Sequence, residues 1–181
     1  PHLSVTDSYD AATQTYKLTV KQSCPDTPGQ TNKQPFLIPL TTALLNRQGE
    51  AIPLQFEGQS IALTEERVLP VIAAEQTFTF INVPEQPVPS LLRDFSAPVV
   101  LEYDYSRDDL VFLLQHDTDG FNRWEAGQQL SLQVLEDVIG QLYETEEPML
   151  DTRLVEVFAA LLEQEDLDPA MLAEFLTLPS T

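Results

Sequence analysis

The chain has 181 residues, 43% of them hydrophobic, and a formal net charge of −20 at pH 7. That length and apolar content support one large domain or two modest ones with real cores, and argue against wholesale disorder. A surface this acidic repels phosphate backbones and anionic lipid, and no apolar run reaches the roughly 20 residues of a membrane-spanning helix, so neither nucleic-acid nor membrane partners are expected.

Pro1-His2-Leu3-Ser4-Val5 lacks the basic-then-apolar pattern of a signal peptide. A start at Pro that runs straight into a strand pattern has the look of an excised piece. In Thr15–Lys21 the apolar residues Tyr16, Leu18 and Val20 share one face and polar residues the other, the period of a half-buried strand. Leu3–Val5, Phe36–Leu45, Ile52–Phe56, Arg67–Ile72, Thr77–Val83 and Val99–Tyr105 follow the same pattern. Turn residues separate them at Asp26–Gly29, Asn46–Gly49, Glu57-Gly58 and Pro84–Pro89. About seven short strands with no helical pattern between them predict two packed antiparallel sheets, an immunoglobulin-like β-sandwich over residues 1–104.

The period changes to 3.6 near residue 105, and so does the charge. Residues 1–104 hold 12 acids and 6 bases, whereas residues 105–181 hold 17 acids and 3 bases. Ser106-Arg107-Asp108-Asp109 has the form of a helix N-cap leading into Leu110, Phe112, Leu113 and Leu114. A second stripe comprises Phe121, Trp124, Gly127 or Gln128, Leu135, Val138 and Leu142, widened by Leu130, Val134 and Ile139. Leu154, Val155, Phe158, Leu161 and Leu162 mark a third helix. Asp168-Pro169 opens a fourth that carries Met171, Leu172, Phe175 and Leu176. Four helices with short connections predict the first part of an α-solenoid over residues 105–181. No polar capping helix closes it at Leu178–Thr181, so continuation of the natural chain and an exposed apolar stacking surface are expected.

The search for chemistry is negative. A helical zinc site needs two histidines four apart with a Glu between them, but the chain has only His2 and His116, in different segments. His116 lies at the predicted end of the first helix, where the macrodipole favours an imidazolium. Cys24 is followed by Pro25-Asp26, with no adjacent cation or His to activate the thiol, and a single cysteine permits a reducing, cytoplasmic setting. Glu65-Glu66, Asp108-Asp109, Glu144/Glu146/Glu147 and Glu163–Asp166 have no apolar shelter and are expected to be solvated. Asp117-Thr118-Asp119-Gly120 begins as calcium loops do, but Phe121 follows at once and the register fails. No phosphate loop or nucleophile elbow occurs. Trp124 fits a helix core. Arg93, alone in an apolar stretch, is expected to make a partly buried bidentate pair with a structural role. The sandwich has no Trp, and Phe78 and Phe80 share its core face, which disfavours carbohydrate binding. No catalytic, cofactor-binding or metal-ligating residue is therefore assigned.

Three segments carry a resemblance: NKQPFLIP at residues 32–39, PVPSLLRDFSAPV at 87–99 and FNRWEAGQ at 121–128. They resemble the bacterial zinc aminopeptidase N family in the region downstream of its catalytic domain, and the match extends over essentially the whole chain. The resemblance implies a parent of four parts: a β-rich domain, a thermolysin-like zinc domain, a small β-sandwich and a helical superhelix. It also implies release of N-terminal amino acids from peptides by a zinc-bound water, with zinc ligands and general base upstream and none here. This portion would then be a scaffold and lid, partnered by the upstream catalytic domain and downstream helices. An independent interaction module that binds a protein or peptide is the alternative reading.

Overall fold

The structure is a computed structural model that describes residues 1–58, 64–144, 147–165 and 167–179. The chain divides into two compact units, Pro1–Asp104 and Tyr105–Thr181.

In the first unit the described residues form seven strands: β1 His2–Asp10, β2 Thr15–Ser23, β3 Ile38–Leu45, β4 Glu66–Val71, β5 Glu75–Phe80, β6 Val88–Leu91 and β7 Val100–Tyr103. One sheet has the order β5-β2-β1-β7 and the other β4-β3-β6. Alternation explains the core between them. Leu3, Val5, Tyr16, Leu18, Val20, Phe78 and Phe80 point inward from the first sheet, and Ile38, Leu40, Leu44, Leu69, Val71 and Leu91 from the second. Tyr16 and Phe80, paired across β2 and β5, are fully buried with ring centroids 6.2 Å apart. Burying a side chain such as Phe80 stabilises by about 1.5–3 kcal/mol.

Several elements differ from the sequence expectation. Ile52–Phe56 is not a strand, although Ile52 and Leu54 are buried as the alternation requires. Pro53 lacks a donor, and among the described residues the segment makes isolated bridges such as Leu54↔Thr64 and Phe56↔Phe80. Conversely, Val88–Leu91, inside and just after the Pro84–Pro89 turn, is an edge strand that tolerates Pro89 because its outer side needs no ladder. β7 runs parallel to β1, with His2 opposite Val100 and Val5 opposite Tyr103, so the first sheet is mixed rather than antiparallel. β1 extends well past Val5, and β3 starts at Ile38, leaving Phe36 and Leu37 exposed.

The second unit contains α1 Arg107–His116, α2 Gly120–Leu142, α3 Thr152–Leu162 and α4 Pro169–Phe175. Each begins at a side chain that accepts from orphan backbone donors. Ser106 and Asp109 form a reciprocal capping box, and Asp119, Asp151 and Asp168 cap the other three helices. Leu110, Leu114, Ala126, Leu130, Val134, Leu154, Val157, Leu161 and Phe175 fill the interior.

The buried face of α2 is Asn122, Ala126, Gly127, Leu130, Ser131 and Val134, not the stripe expected through Leu135 and Leu142. Leu135, Ile139 and Leu142 are exposed. At 1.5 Å per residue α2 is about 34 Å long and α1 about 15 Å, so α1 cannot cover its distal half.

Candidate functional site

The candidate residues fall at five places. His2 and Cys24, distant in sequence, are brought together because β1 pairs with β2 in a register that sets His2 opposite Ser23. They line a groove of about 450 Å³ together with Lys33, Phe95, Pro98 and Val100. Lys33 Nζ donates to the Pro25 carbonyl at 2.9 Å. The Cys24 thiol itself donates to the Pro25 carbonyl at 3.8 Å.

Arg93 stands two residues before Phe95. It is 7% exposed; its Nε donates to Glu66 Oε2 at 2.6 Å and its Nη1 to Ser90 Oγ at 2.7 Å. The turn around it places three non-glycine residues at positive φ: Leu92 at 59°, Asp94 at 53° and Phe95 at 48°. Ser96 ties the turn to β3 by accepting the Thr41 amide at 3.0 Å. Such backbone persists only where surroundings over-determine it. The pair with Glu66 is the partly buried ion pair expected of Arg93, and the Glu66 carboxylate itself stays 45% exposed. Glu65 remains exposed.

The Asp117–Gly120 segment is a helix start. Asp117 Oδ1 accepts the Asp119 amide at 2.9 Å and Asp119 Oδ1 the Asn122 amide at 2.8 Å. Beside it, Arg123 donates to the Leu114 carbonyl at 2.8 Å and to Gln164 at 3.1 Å, and lies 4.9 Å over the Phe175 ring. Burial lowers the Arg123 pKa, opposed by the Asp117 charge. His116, the last residue of α1, is exposed beside the Phe112 ring at 5.2 Å. Trp124 is half-buried, 5.8 Å from Phe121.

An ion-pair network that sequence reasoning missed joins three helices. Arg107 contacts Asp137 at 2.6 Å and Asp151 at 2.9 Å, and Arg153 contacts Asp151 at 2.7 Å and Asp108 at 2.8 Å. Hydrogen bonds from Arg153, with further ones from Arg107, hold the Asp151 carboxyl well below the ordinary value of 3.8. Hydrogen bonds to Asp137 and then Asp151 raise the Arg107 pKa. Asp108 thus belongs to this network and Asp109 to the capping box. Glu144, Glu147, Glu163 and Glu165 are exposed, while Glu146 and Asp166 lie outside the described residues.

Among the described residues, no group of three or more His, Cys, Asp or Glu side chains is gathered so as to hold a metal ion. The zinc implied by the resemblance therefore does not fit any donor set described in this chain. Phe78 and Phe80 lie in the sandwich core. No described helix is long and apolar enough to cross a membrane.

Residues 1–104 match the family described as "Domain of unknown function (DUF3458) Ig-like fold", and residues 107–181 match "Domain of unknown function (DUF3458_C) ARM repeats". The chain belongs to the DUF3458 family. Both descriptions agree with the sandwich and the helical array. The chain is 42% identical to aminopeptidase N of Escherichia coli (strain K12) over 180 residues, covering 99% of itself and 20% of that protein. It is 36% identical to aminopeptidase N of Haemophilus influenzae over 179 residues, again 99% of itself and 20% of the relative. A crystal structure of Legionella pneumophila aminopeptidase A in complex with aspartic acid superposes with a TM-score of 0.76 at 35% identity, over 99% of this chain and 18% of that one. The expected likeness to aminopeptidase N is thus present along the whole chain. The chain spans about a fifth of the length of the curated relatives it matches.

Proposed function

We propose that this DUF3458 chain is the non-catalytic part, downstream of the catalytic domain, of a zinc-dependent aminopeptidase that releases N-terminal residues from peptides. In this reading residues 1–104 are a bracket and residues 105–181 open a helical superhelix, together scaffold and lid for an upstream zinc domain. The observation that carries it is the end-to-end similarity to aminopeptidase N relatives, of which the chain covers only a fifth. Its own residues would shape and enclose the site rather than perform chemistry. The exposed apolar residues of α2 and α3, among them Leu135, Ile139, Leu142, Val155 and Leu162, support stacking against further helices of the same polypeptide. The single cysteine supports a cytoplasmic setting.

The test is hydrolysis of an aminoacyl-nitroanilide. The 181-residue chain should show no turnover with or without added zinc, and the polypeptide encoded by the full reading frame should turn over in a chelator-sensitive way. Zinc-dependent turnover by the 181-residue chain, or none by the full polypeptide across aminoacyl groups, would sink the reading.

A further inference from the structure

At seven residues, α4 falls well below the roughly 12–15 an isolated helix needs, so its order depends on its seat against α2. Three contacts make that seat among the described residues. Phe175, only 2% exposed, lies under the Arg123 guanidinium at 4.9 Å. Gln128 Nε2 donates to the Thr177 carbonyl at 2.8 Å, just past the end of α4. The third contact is Met171, whose terminal methyl fills a notch over Gly120, the first residue of α2. A Cβ at Gly120 would stand 2.6 Å from Met171 Cε and 3.9 Å from Sδ, so glycine is what leaves room for the methyl.

This third contact differs from the other two in its chemistry. A thioether is readily oxidised by hydrogen peroxide, and Met171 is 37% exposed, open to solvent on one side while its methyl is seated on the other. We propose that Met171 is a redox-sensitive latch: conversion to the sulfoxide by hydrogen peroxide releases α4 from α2, and reduction seats it again. A sulfur lone pair attacks one peroxide oxygen, and the S–O bond forms as the O–O bond breaks. The proton on the transferred oxygen passes to the departing hydroxide, which leaves as water; sulfur gives up two electrons and the peroxide takes them. The product is bulkier and strongly polar, and water solvates it better than the packed surface over Gly120 does. The flexible side chain swings outward rather than deforming α2, leaving the notch empty. With one of three contacts gone, the short helix opens more often and uncovers Phe175 and Arg123. Met149, the other methionine, is 80% exposed, so its oxidation disturbs no packing and serves as an internal control.

The test is amide hydrogen exchange of the 181-residue chain, read by mass spectrometry before and after peroxide sufficient to oxidise Met149 fully. Exchange over residues 169–177 should quicken at least about tenfold, while that of α1 stays unchanged. Methionine sulfoxide reductases acting on both epimers should reverse the change. Met171→Gln, which puts a polar group there without oxidation, should exchange like the oxidised chain. Met171→Leu, which keeps Cys24 and Met149, should show no response to peroxide whatever its starting rate. Oxidised Met171 with unchanged exchange in α4 overturns the latch, as does a Met171→Gln chain that exchanges like the untreated parent. A response that persists in Met171→Leu overturns it too, since another oxidised group would then be responsible. Quickened exchange that spreads through α1 does the same, because it marks unfolding of the whole unit rather than release of one helix. Met171 that stays reduced beside oxidised Met149 likewise overturns it. The latch lies wholly within residues 105–181, so none of these outcomes bears on the aminopeptidase reading.

Discussion

Arg93 shows what a single charged residue does in an apolar stretch. Its guanidinium is buried, whereas the Glu66 side chain is 45% exposed, so the two partners are unequal. Replacing Arg93 by Leu removes its bonds to Ser90 and Glu66 and the clamp on three positive-φ residues, and should cost about 3 kcal/mol. Arg93→Lys should recover little of this, because an ammonium cannot reproduce the fork that reaches Ser90 and Glu66 at once. Glu66→Gln should cost about 1 kcal/mol or less, since water can take its place on the exposed side. Urea denaturation of the three variants checks this order; an Arg93→Lys variant as stable as the parent would refute it. The existence of such a pair was legible from the apolar setting of Arg93. Its partner was not, because Glu66 is 27 positions away and only the pairing of β3 with both β4 and β6 brings them together.

Helix starts were the most legible elements, because capping is local. Ser106 and Asp168 announce themselves through their immediate neighbours, and both cap as expected. Asp151 was silent, since its carboxylate serves the N-terminus of α3 and two arginines from different elements. Its folded pKa is depressed, so its contribution is fully present above the ordinary value of 3.8 and is lost as pH falls below that value. Asp151→Ala should cost about 2 kcal/mol at neutral pH, from the cap and the partly buried pairs together. The difference from the parent should shrink only in strong acid, which denaturation at neutral pH and near pH 3 would show; loss of the difference by pH 5 would contradict the assignment. Which stripe of α2 is buried was illegible for another reason: both of its faces are apolar, and only the lengths of its neighbours decide between them. Gly127 lies on the buried stripe, where an added Cβ would sit 3.5 Å and 3.6 Å from the Leu114 methyls and 3.8 Å from the Phe175 carbonyl, ordinary contact distances. Gly127→Ala should therefore stabilise by about 0.5–1 kcal/mol through helix propensity alone. A thermal midpoint below that of the parent would mean the helices cannot accept even this contact.

At the scale of the whole molecule the sequence shows a boundary near residue 105 twice, in the change of period and in the change of charge, because both are sums over many residues and tolerate local errors such as Ile52–Phe56. Charge is also where the two units should behave differently. Residues 105–181 hold 17 acids and three arginines. Arg107 and Arg153 are committed to the ion-pair network, and Arg123 is set against the Leu114 carbonyl and the Phe175 ring. Most of the acids of this unit are therefore uncompensated and repel one another. Raising ionic strength from about 0.01 M to about 0.1 M shortens the screening length from about 30 Å to about 10 Å. It weakens the diffuse repulsion among separated acids more than the short contacts of Asp151, which is mostly shielded from solvent. The balance favours the folded helices, by about 1 kcal/mol or about 4–8 °C in the midpoint of a unit this size. Trp124, the only tryptophan, belongs to this unit, so its fluorescence follows helical unfolding without interference from the sandwich. A midpoint that rises with salt identifies self-repulsion as the dominant electrostatic effect in the array; one that falls would mean that the Arg107–Asp151–Arg153 network outweighs it.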